Sequence, residues 1–417
     1  MNIKHILRII CMIFVGTLIF FAMYSNLDSI WKNHYDDTYL QYRIAINLAS
    51  NKGMVYNEGE KTDAATSFVY TVLLATAYKI GMRKMEVPAF IINFISQIYI
   101  MVLLYFIIIY ITGNIWYAII AGLCGGLHGI LSVWTVLGME TALFTAVMLS
   151  FIYSVFISNN NKLITIFFIL LCITRPEGIL FGVLLFKNKN IKTIVISFIV
   201  VALFYILRMW YYDTIIPHSV QMKYITTYTE WKRYVAPLSV LFVIAWTWLA
   251  YNLHKYVASV MMVFLIVSTI LSMLYVRPMI HLLANQVKLQ LKIGEYINKH
   301  INEDEIILSF ELGAYGYKAI NHRFIDGVGL LSSDVLKAYK KGNSIDVILN
   351  KKKPVYIADT YHEIGDSLYS KNMHNFDFLK IDIPKSEYLD CDYETILDYK
   401  ADRNIHFVLL KLKKETY

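Results

Sequence analysis

Two adjacent carboxylates, Asp36 and Asp37, are the residues of this chain whose type and spacing best suit chemistry. They open a polar stretch between two apolar runs that are long enough to cross a bilayer. Spacings of i, i+4, i+7 and i+11 place four residues on one face of a predicted helix: Asp36, Leu40, Arg43 and Asn47. Beside a membrane, this face is suited to orienting a hydroxyl together with an anionic headgroup. The plainer interpretation is that both aspartates only cap a loop helix.

The composition predicts a membrane protein that carries one water-exposed domain. Of the 417 residues, 57% are hydrophobic and 17% are charged, whereas a soluble protein carries roughly a quarter charged residues. Mean hydropathy is +0.49. The apolar runs end near residue 278, so we expect a membrane domain over 1–278, with a first extracytoplasmic loop at 27–65, and a soluble domain over 279–417. The net charge of +8 is spread over the loops, which favours lipid headgroups over nucleic acid as its partner.

The apolar runs predict about eleven transmembrane helices, with residues 115–137 counted as two short passes. Lys4 and Arg8 precede the first run, which places the N-terminus in the cytoplasm and the C-terminal domain outside. The loops predicted to lie inside carry Arg83, Lys84, Lys162, Lys187, Lys189, Lys192 and Lys255. The same count puts GMET (138–141), RPEG (175–178) and the loop 212–234 on the outer side.

Further charged residues occur where apolar runs end. Glu140, Arg175 and Glu177 have this position, and charges near membrane segments usually face a cavity or a partner. Internal ion pairs are the alternative. His218 and Lys223 lie in the loop 212–234 and are suited to holding a phosphate. That loop is also typical of an aromatic belt at the membrane interface.

The C-terminal part predicts a small α/β domain. Residues 287–301 have the pattern of an amphipathic helix, and residues 305–310, 323–330, 354–359 and 405–412 have that of strands. ELGAYGYKA follows the first strand as a glycine-bearing turn and helix start, a pattern too weak to indicate a nucleotide site. The four cysteines have no metal-ligand spacing.

Together these blocks resemble a known family. DDTYLQYRIAINLASNKGMVYNEGE, GMET, RPEG and IIPHSVQMK are similar, in this order, to motifs of bacterial polyprenyl-phosphate-dependent glycosyltransferases of the GT-C class. The terminal arabinofuranosyltransferase (AftB-like) group has the greatest similarity, and ELGAYGY with FIDGVGL resembles its soluble domain. The chain departs from that group at residues 62–67 and at His218, which leaves the sugar open.

The resemblance implies a polytopic α-helical membrane enzyme of GT-C type in the bacterial cytoplasmic membrane. Such an enzyme moves a sugar, for instance the pentose arabinofuranose, from a polyprenyl phosphate to a cell-envelope glycan, glycolipid or glycoprotein, with inversion. One of Asp36 and Asp37 would be the general base, and Asp36 is favoured because it shares a helix face with Arg43. The resemblance implies donor and phosphate binding by Arg43, Asn47, Glu140, Arg175, Glu177, His218 and Lys223. A divalent cation, Mg²⁺ or Ca²⁺, on the aspartate pair is left open.

Two other functions fit the same features. Intramembrane charges and broken helices also occur in a flippase or transporter for a lipid-linked sugar. The outer domain could equally belong to a non-catalytic scaffold for envelope assembly. Product formation separates the enzyme from both alternatives.

Overall fold

The computed structural model describes most of the membrane segment and the larger part of the C-terminal sheet. The described residues are 3–25, 32–188, 190–212, 231–327, 329, 331, 335, 337, 354–364, 367–370, 393–401 and 405–413. Both His218 and Lys223 lie outside them.

Most of the described residues are helical. The helices are α1 (Ile3–Tyr24), α2 (Asp36–Ala49), α3 (Phe68–Lys79), α4 (Glu86–Thr112), α5 (Ile115–Gly126), α6 (Gly129–Val136), α7 (Thr141–Tyr153), α8 (Asn161–Thr174), α9 (Ile191–Tyr212), α10 (Trp231–Tyr251), α11 (Lys255–His300) and α12 (Gly313–Lys318). A π-helical turn, Ser154–Ser158, extends α7, and a 3₁₀ helix covers Pro176–Lys187. Each apolar run of the sequence is therefore helical.

Within the described part of the chain, 5 helices are long and apolar enough to cross a membrane. These are α1, α4, α7 with its π-helical extension, α9 and α11, and the bent pair α5 and α6 makes a sixth. Three shorter apolar helices accompany them: Phe68–Lys79, Asn161–Thr174 and Val235–Tyr251. A membrane protein is thus supported, while the predicted number of about eleven spans is not confirmed.

The directions of α1 and α4 correct one part of the predicted topology. Phe20, near the end of α1, contacts Phe94, near the start of α4, with ring centroids 5.1 Å apart. His5, near the start of α1, bonds through Nδ1 to the Tyr105 hydroxyl at 2.7 Å. The two helices are therefore antiparallel, and α3, with 12 residues, is only about 18 Å long. The loop with Arg83 and Lys84 consequently lies where α1 ends, not at the predicted inner side where α1 begins.

Helices α5 and α6 form one bent pass along α4, not the two passes that the sequence analysis counted. The axis bends by 46° between them, but the chain keeps its direction. Gly126 accepts a hydrogen bond from Gln97, and Gly138, beyond α6, accepts one from Tyr70, whose hydroxyl also bonds Asn93. Glycine permits this contact, since a Cβ on Gly126 would lie 2.1 Å from the Met101 side chain.

The chain divides into two compact units. Unit 1 comprises Met1–His34, Thr66–Arg208 and Glu230–Ala284, and unit 2 comprises Tyr35–Ala65, Met209–Thr229 and Asn285–Tyr417. The division falls close to the predicted boundary at residue 278. It differs in one respect, because most of the predicted first loop belongs with the C-terminal segment.

In the part of unit 2 that the structure describes, six strands form a mixed sheet. Its strands are β1 (Ile307–Ser309), β2 (Phe324–Asp326), β3 (Tyr356–Ile364), β4 (Ser367–Ser370), β5 (Tyr393–Ala401) and β6 (Ile405–Leu412). The order is β2-β1-β3-β6-β5, with β4 paired to β3. Strands β1, β2 and β3 are mutually parallel, whereas β6 is antiparallel to β3 and β5. Each of the four predicted segments contains a strand, but β1 and β2 are each only three residues long, β3 extends beyond the predicted end, and β4 and β5 were not predicted.

One hydrophobic core joins α2 to the sheet of unit 2. Leu40 and Ile44 of α2 pack in the same cluster as Ile293 and Ile297 of α11, and the strands contribute Ile307, Phe324 and Tyr356. Three members of the predicted face of α2, Leu40, Arg43 and Asn47, are therefore buried, while Asp36 is partly exposed.

Candidate active site

Asp36 is fixed at the start of α2 by the start of another helix. Its Oδ1 accepts the Ala314 N–H at 2.7 Å, and its Oδ2 accepts the Gly313 N–H at 3.3 Å. A Cβ on Gly313 would lie 1.8 Å from the Asp36 backbone oxygen, so only glycine allows this approach. The GAYG segment thus has a packing role beside a carboxylate. As whole residues, Asp36 is partly exposed and Asp37 is exposed.

The carboxyl ends of the parallel strands bring further acidic side chains to the same part of unit 2. Asp326 ends β2 and pairs in register with Ser309, the last residue of β1, and Ser309 also pairs with Ala358 of β3. Glu311 follows β1 and Asp359 follows Ala358, so both lie at this edge of the sheet. Ligands of α/β sheets commonly bind at the carboxyl ends of parallel strands.

Glu311 is the best-defined member of this edge. Its Oε2 accepts hydrogen bonds from Thr360 Oγ1, at 2.7 Å, and from the Gln290 amide. Thr360 and Gln290 are both buried, whereas Glu311 is partly exposed. Its carboxylate is therefore held in one place by two buried donors.

The electrostatics of the site raise the pKa of one carboxyl group to near neutral pH. Burial raises the pKa of Asp36 from its ordinary 3.8 to about 7, and the nearby charges of Glu311 and then Asp37 add to this effect. The N–H groups of Ala314 and Gly313 act in the opposite direction. Burial also raises the pKa of Tyr315 well above 10, so its hydroxyl stays protonated. A carboxylate whose pKa lies near neutral pH can both accept and release a proton.

Arg43 has a different role from the predicted one. Its guanidinium donates five hydrogen bonds: to the carbonyls of Tyr56, Gly316, Ala319 and His322, and to Asn57 Oδ1. Arginine has five N–H donors, so no donor is left for a donor phosphate. Asn47 likewise gives its amide to the carbonyls of Val55 and Tyr56, both at 2.9 Å. Arg43 therefore binds the first loop to the C-terminal segment, whereas Asn47 bonds within the loop, and these contacts leave no guanidinium or amide N–H for the predicted binding of a phosphate.

Unit 1 holds the other charged group that the sequence predicted. Arg175 Nη1 lies 3.4 Å from Glu140 Oε1, and Arg175 Nη2 lies 3.3 Å from Glu177 Oε1. Glu140 is 0% exposed and Arg175 is 4% exposed. GMET and RPEG therefore do meet, as internal ion pairs. An arginine between two carboxylates is less suited to a phosphate than the sequence analysis expected.

The described residues contain no group of three or more His, Cys, Asp or Glu side chains arranged to hold a metal ion. The cation that the sequence analysis left open on Asp36 and Asp37 stays open. Sequence reasoning missed Glu311, Gln290 and Thr360. A usable signal existed for Glu311, because it follows directly after the buried strand in EIILSF.

Comparison with known proteins adds one domain match. Residues 279–406 match a family described as a domain of unknown function, DUF8728. This match covers the C-terminal segment from within α11 through the start of β6. No curated protein matches the chain.

Proposed function

We propose that this protein is a membrane glycosyltransferase in which Asp36 is the general base. The observation that carries the proposal is the position of Asp36: its carboxylate is held by two backbone N–H groups, has a pKa of about 7, and lies near Glu311 at the carboxyl end of parallel strands. The substrate class rests on the sequence resemblance. It implies a sugar on a polyprenyl phosphate as donor and a cell-envelope glycan, glycolipid or glycoprotein as acceptor.

The proposed reaction needs one proton transfer and one bond exchange. The acceptor hydroxyl gives its proton to Asp36 while its oxygen bonds to C1 of the sugar. The bond between C1 and the phosphate oxygen breaks, and the electron pair leaves with the polyprenyl phosphate. Attack opposite to the leaving group inverts C1, so no covalent sugar–enzyme intermediate forms. A base with a pKa near the working pH suits this step, since it is ionised before the transfer and can hold the proton afterwards.

The surroundings favour Asp36 over Asp37 for this role. Two backbone N–H groups orient Asp36, and Glu311 lies close enough for its charge to raise the pKa of Asp36. Asp37 is the more exposed of the pair. We assign Glu311 the role of a positioning residue, which keeps the proton affinity of Asp36 high and offers a second acceptor for sugar hydroxyls.

Binding of the leaving phosphate is assigned by elimination and by the resemblance. Arg43 and Asn47 are engaged by the backbone, and Arg175 contacts Glu140 and Glu177. His218 and Lys223 keep the phosphate-binding role that the resemblance implies. We further propose GT-C architecture, an N-terminus in the cytoplasm and an extracytoplasmic C-terminal domain. The basic residues at the start of α1 support this orientation.

The test is a transfer assay with the purified full chain in nanodiscs and a panel of polyprenyl-phosphate pentoses and hexoses. Wild type would be compared with Asp36→Asn, Glu311→Gln and the matched control Asp37→Asn. We expect turnover of one donor by wild type, loss of at least 100-fold in Asp36→Asn, and retained turnover in Asp37→Asn. Glu311→Gln should move the acidic limb of the pH–rate profile to lower pH, because removal of its charge lowers the pKa of Asp36.

Three outcomes would contradict the proposal. Equal activity of wild type and Asp36→Asn would exclude Asp36 as the base. No turnover of any donor, combined with energy-independent scrambling of a lipid-linked sugar in liposomes, would favour the flippase. No turnover and no scrambling, with envelope lipids supplied, would favour the scaffold.

A further inference from the structure

A groove at the end of unit 1 where α1 begins is lined by groups that bind anions. Its volume is about 560 Å³, and its walls come from the start of α1, the end of α4, the start of α5 and the end of α10. The basic side chains in the lining are His5 and Arg8, and no carboxylate is present among the described lining residues. This volume is in the range of ligand pockets and exceeds what a single ion needs.

The polar walls of the groove are held in place by neighbouring groups. The His5 ring bonds through Nδ1 to the Tyr105 hydroxyl. Thr112 Oγ1 donates to the Ile108 carbonyl at 2.8 Å and accepts the Asn114 N–H at 3.1 Å. These bonds fix the turn between α4 and α5.

Two helices begin at the groove, α1 and α5, and two end there, α4 and α10, so the helix ends contribute partial charges of both signs and the net positive charge comes from the basic side chains. Asn114 caps α5 by accepting the Trp116 N–H at 3.0 Å, so the positively polarised start of α5 lies at the groove. The end of α4 is also here, but Gly113 N–H satisfies the Ile109 carbonyl and Thr112 satisfies that of Ile108. The guanidinium of Arg8 adds a full charge, and it is exposed.

The surroundings of the groove are those of a membrane interface. Ile3 and Leu7 of α1 are 71% and 57% exposed, and Trp116 and Tyr110 are 69% and 64% exposed. Apolar side chains that are open to the outside on a candidate span face lipid tails, and exposed Trp and Tyr at helix ends are typical of the headgroup layer. The groove therefore lies at the depth where lipid phosphates are found.

We propose that this groove binds an anionic phosphate group through Arg8. The chemistry is shared by two sources, the headgroup of an anionic phospholipid and a soluble phosphate. Arginine donates two parallel hydrogen bonds to phosphate oxygens, and His5 and the start of α5 supply further donors. The groove is at the opposite end of α4 from Tyr70 and Gly138, so the site is separate from the ion pairs of Glu140.

The experiment is native mass spectrometry of the purified full chain, titrated in separate arms with phosphatidylglycerol, zwitterionic phosphatidylcholine and inorganic phosphate. Arg8→Gln removes the groove cation, and Lys162→Gln is the matched control, because Lys162 is exposed at the start of α8 and does not line the groove. We expect Arg8→Gln to weaken phosphate binding roughly fivefold and Lys162→Gln to leave it unchanged. An unchanged thermal unfolding midpoint of Arg8→Gln shows that the fold is intact.

The phosphatidylglycerol arm and the inorganic phosphate arm identify the source of the phosphate. Tight binding of phosphatidylglycerol that inorganic phosphate does not displace supports the lipid headgroup, and binding of inorganic phosphate supports a soluble anion. Equal loss of binding in Arg8→Gln and Lys162→Gln would overturn the proposal, since it would mean non-specific charge attraction. Equal binding of phosphatidylcholine and phosphatidylglycerol, with no binding of inorganic phosphate, would overturn it as well.

Discussion

The pKa of Asp36 makes the stability of unit 2 depend on pH in a direction that is unusual for an aspartate. In the folded chain this pKa is about 7, compared with an ordinary value of 3.8. Between these values the folded state holds a proton that the unfolded state has released. Raising the pH through this interval therefore lowers the free energy of unfolding, by about 1.4 kcal/mol for each pH unit. The whole interval amounts to about 4 kcal/mol at most, and the effect is complete above pH 7.

The substitution Asp36→Asn tests this reasoning, because asparagine has nearly the same shape and stays neutral. Its amide oxygen can keep the 2.7 Å bond from Ala314, while the weaker 3.3 Å bond from Gly313 is lost. We allow about 1 kcal/mol for that loss. Asp36→Asn should therefore stabilise unit 2 by about 3 kcal/mol at pH 8 and should give no stabilisation at pH 4. The same variant should be inactive, so stability and activity would change in opposite directions.

The measurement is hydrogen–deuterium exchange between pH 4 and pH 8, corrected for intrinsic exchange rates, in peptides that cover α2 and residues 307–327. The quantity of interest is the difference between Asp36→Asn and wild type, since other titrating groups largely cancel in it. Asp37→Asn is the control and should keep most of the wild-type pH dependence. A difference that does not change over this pH range would refute the argument, as would destabilisation by Asp36→Asn at pH 8.

Three further substitutions test the contacts made by Arg43, Gly313 and Arg175. Arg43→Lys supplies three donors for five acceptors, so we expect the free energy of unfolding to fall by about 2–6 kcal/mol and hydrogen–deuterium exchange to become faster throughout α2. Unchanged exchange would show that the five bonds are not essential. Gly313→Ala puts a Cβ 1.8 Å from the Asp36 backbone oxygen and should lower the free energy of unfolding by about 1–3 kcal/mol, which would be measured as a lower thermal unfolding midpoint. An unchanged midpoint would mean that α12 can shift to make room for the Cβ. Arg175→Gln should lower the thermal unfolding midpoint of unit 1, which corresponds to a loss of about 3–5 kcal/mol in the free energy of unfolding. Adding Glu140→Gln should restore part of this lost stability. Strictly additive losses in this double-mutant cycle would argue against the pairing of Arg175 with Glu140.

The sequence predicted which residues of α2 share a face but not what they contact. Periodicity is a local property, and it correctly grouped Asp36 with Arg43 and Asn47. The partners of Arg43 at residues 316–322 are backbone carbonyls, which every residue type carries. No side-chain pattern in that segment could therefore predict them. Arginine beside a membrane was therefore interpreted as a phosphate ligand, although it stabilises the fold.

Hydropathy located the apolar helices without determining their directions. The run at 66–82 contains only 12 helical residues, and contacts at both ends of α1 fix the direction of α4. Such contacts are tertiary information. In contrast, Glu140 of GMET and Arg175 of RPEG form an ion pair, and their opposite charges are visible in the sequence. Glu311 stood directly after a predicted strand, so fold-level reasoning about strand ends could have found it.

The bonds from Arg43 also impose an order on biosynthesis. The carbonyls of Gly316 and His322 lie 273 and 279 residues beyond it in the chain. At a synthesis rate of roughly 5–20 residues per second, Arg43 waits roughly 15–55 s before these carbonyls emerge. Over that time the segment 35–65 has no completed core, although the membrane helices that flank it are already made. A chain that terminates early, for instance at residue 278, would leave this segment exposed to proteases and chaperones. The last third of the protein is therefore needed to protect the first loop from proteolysis.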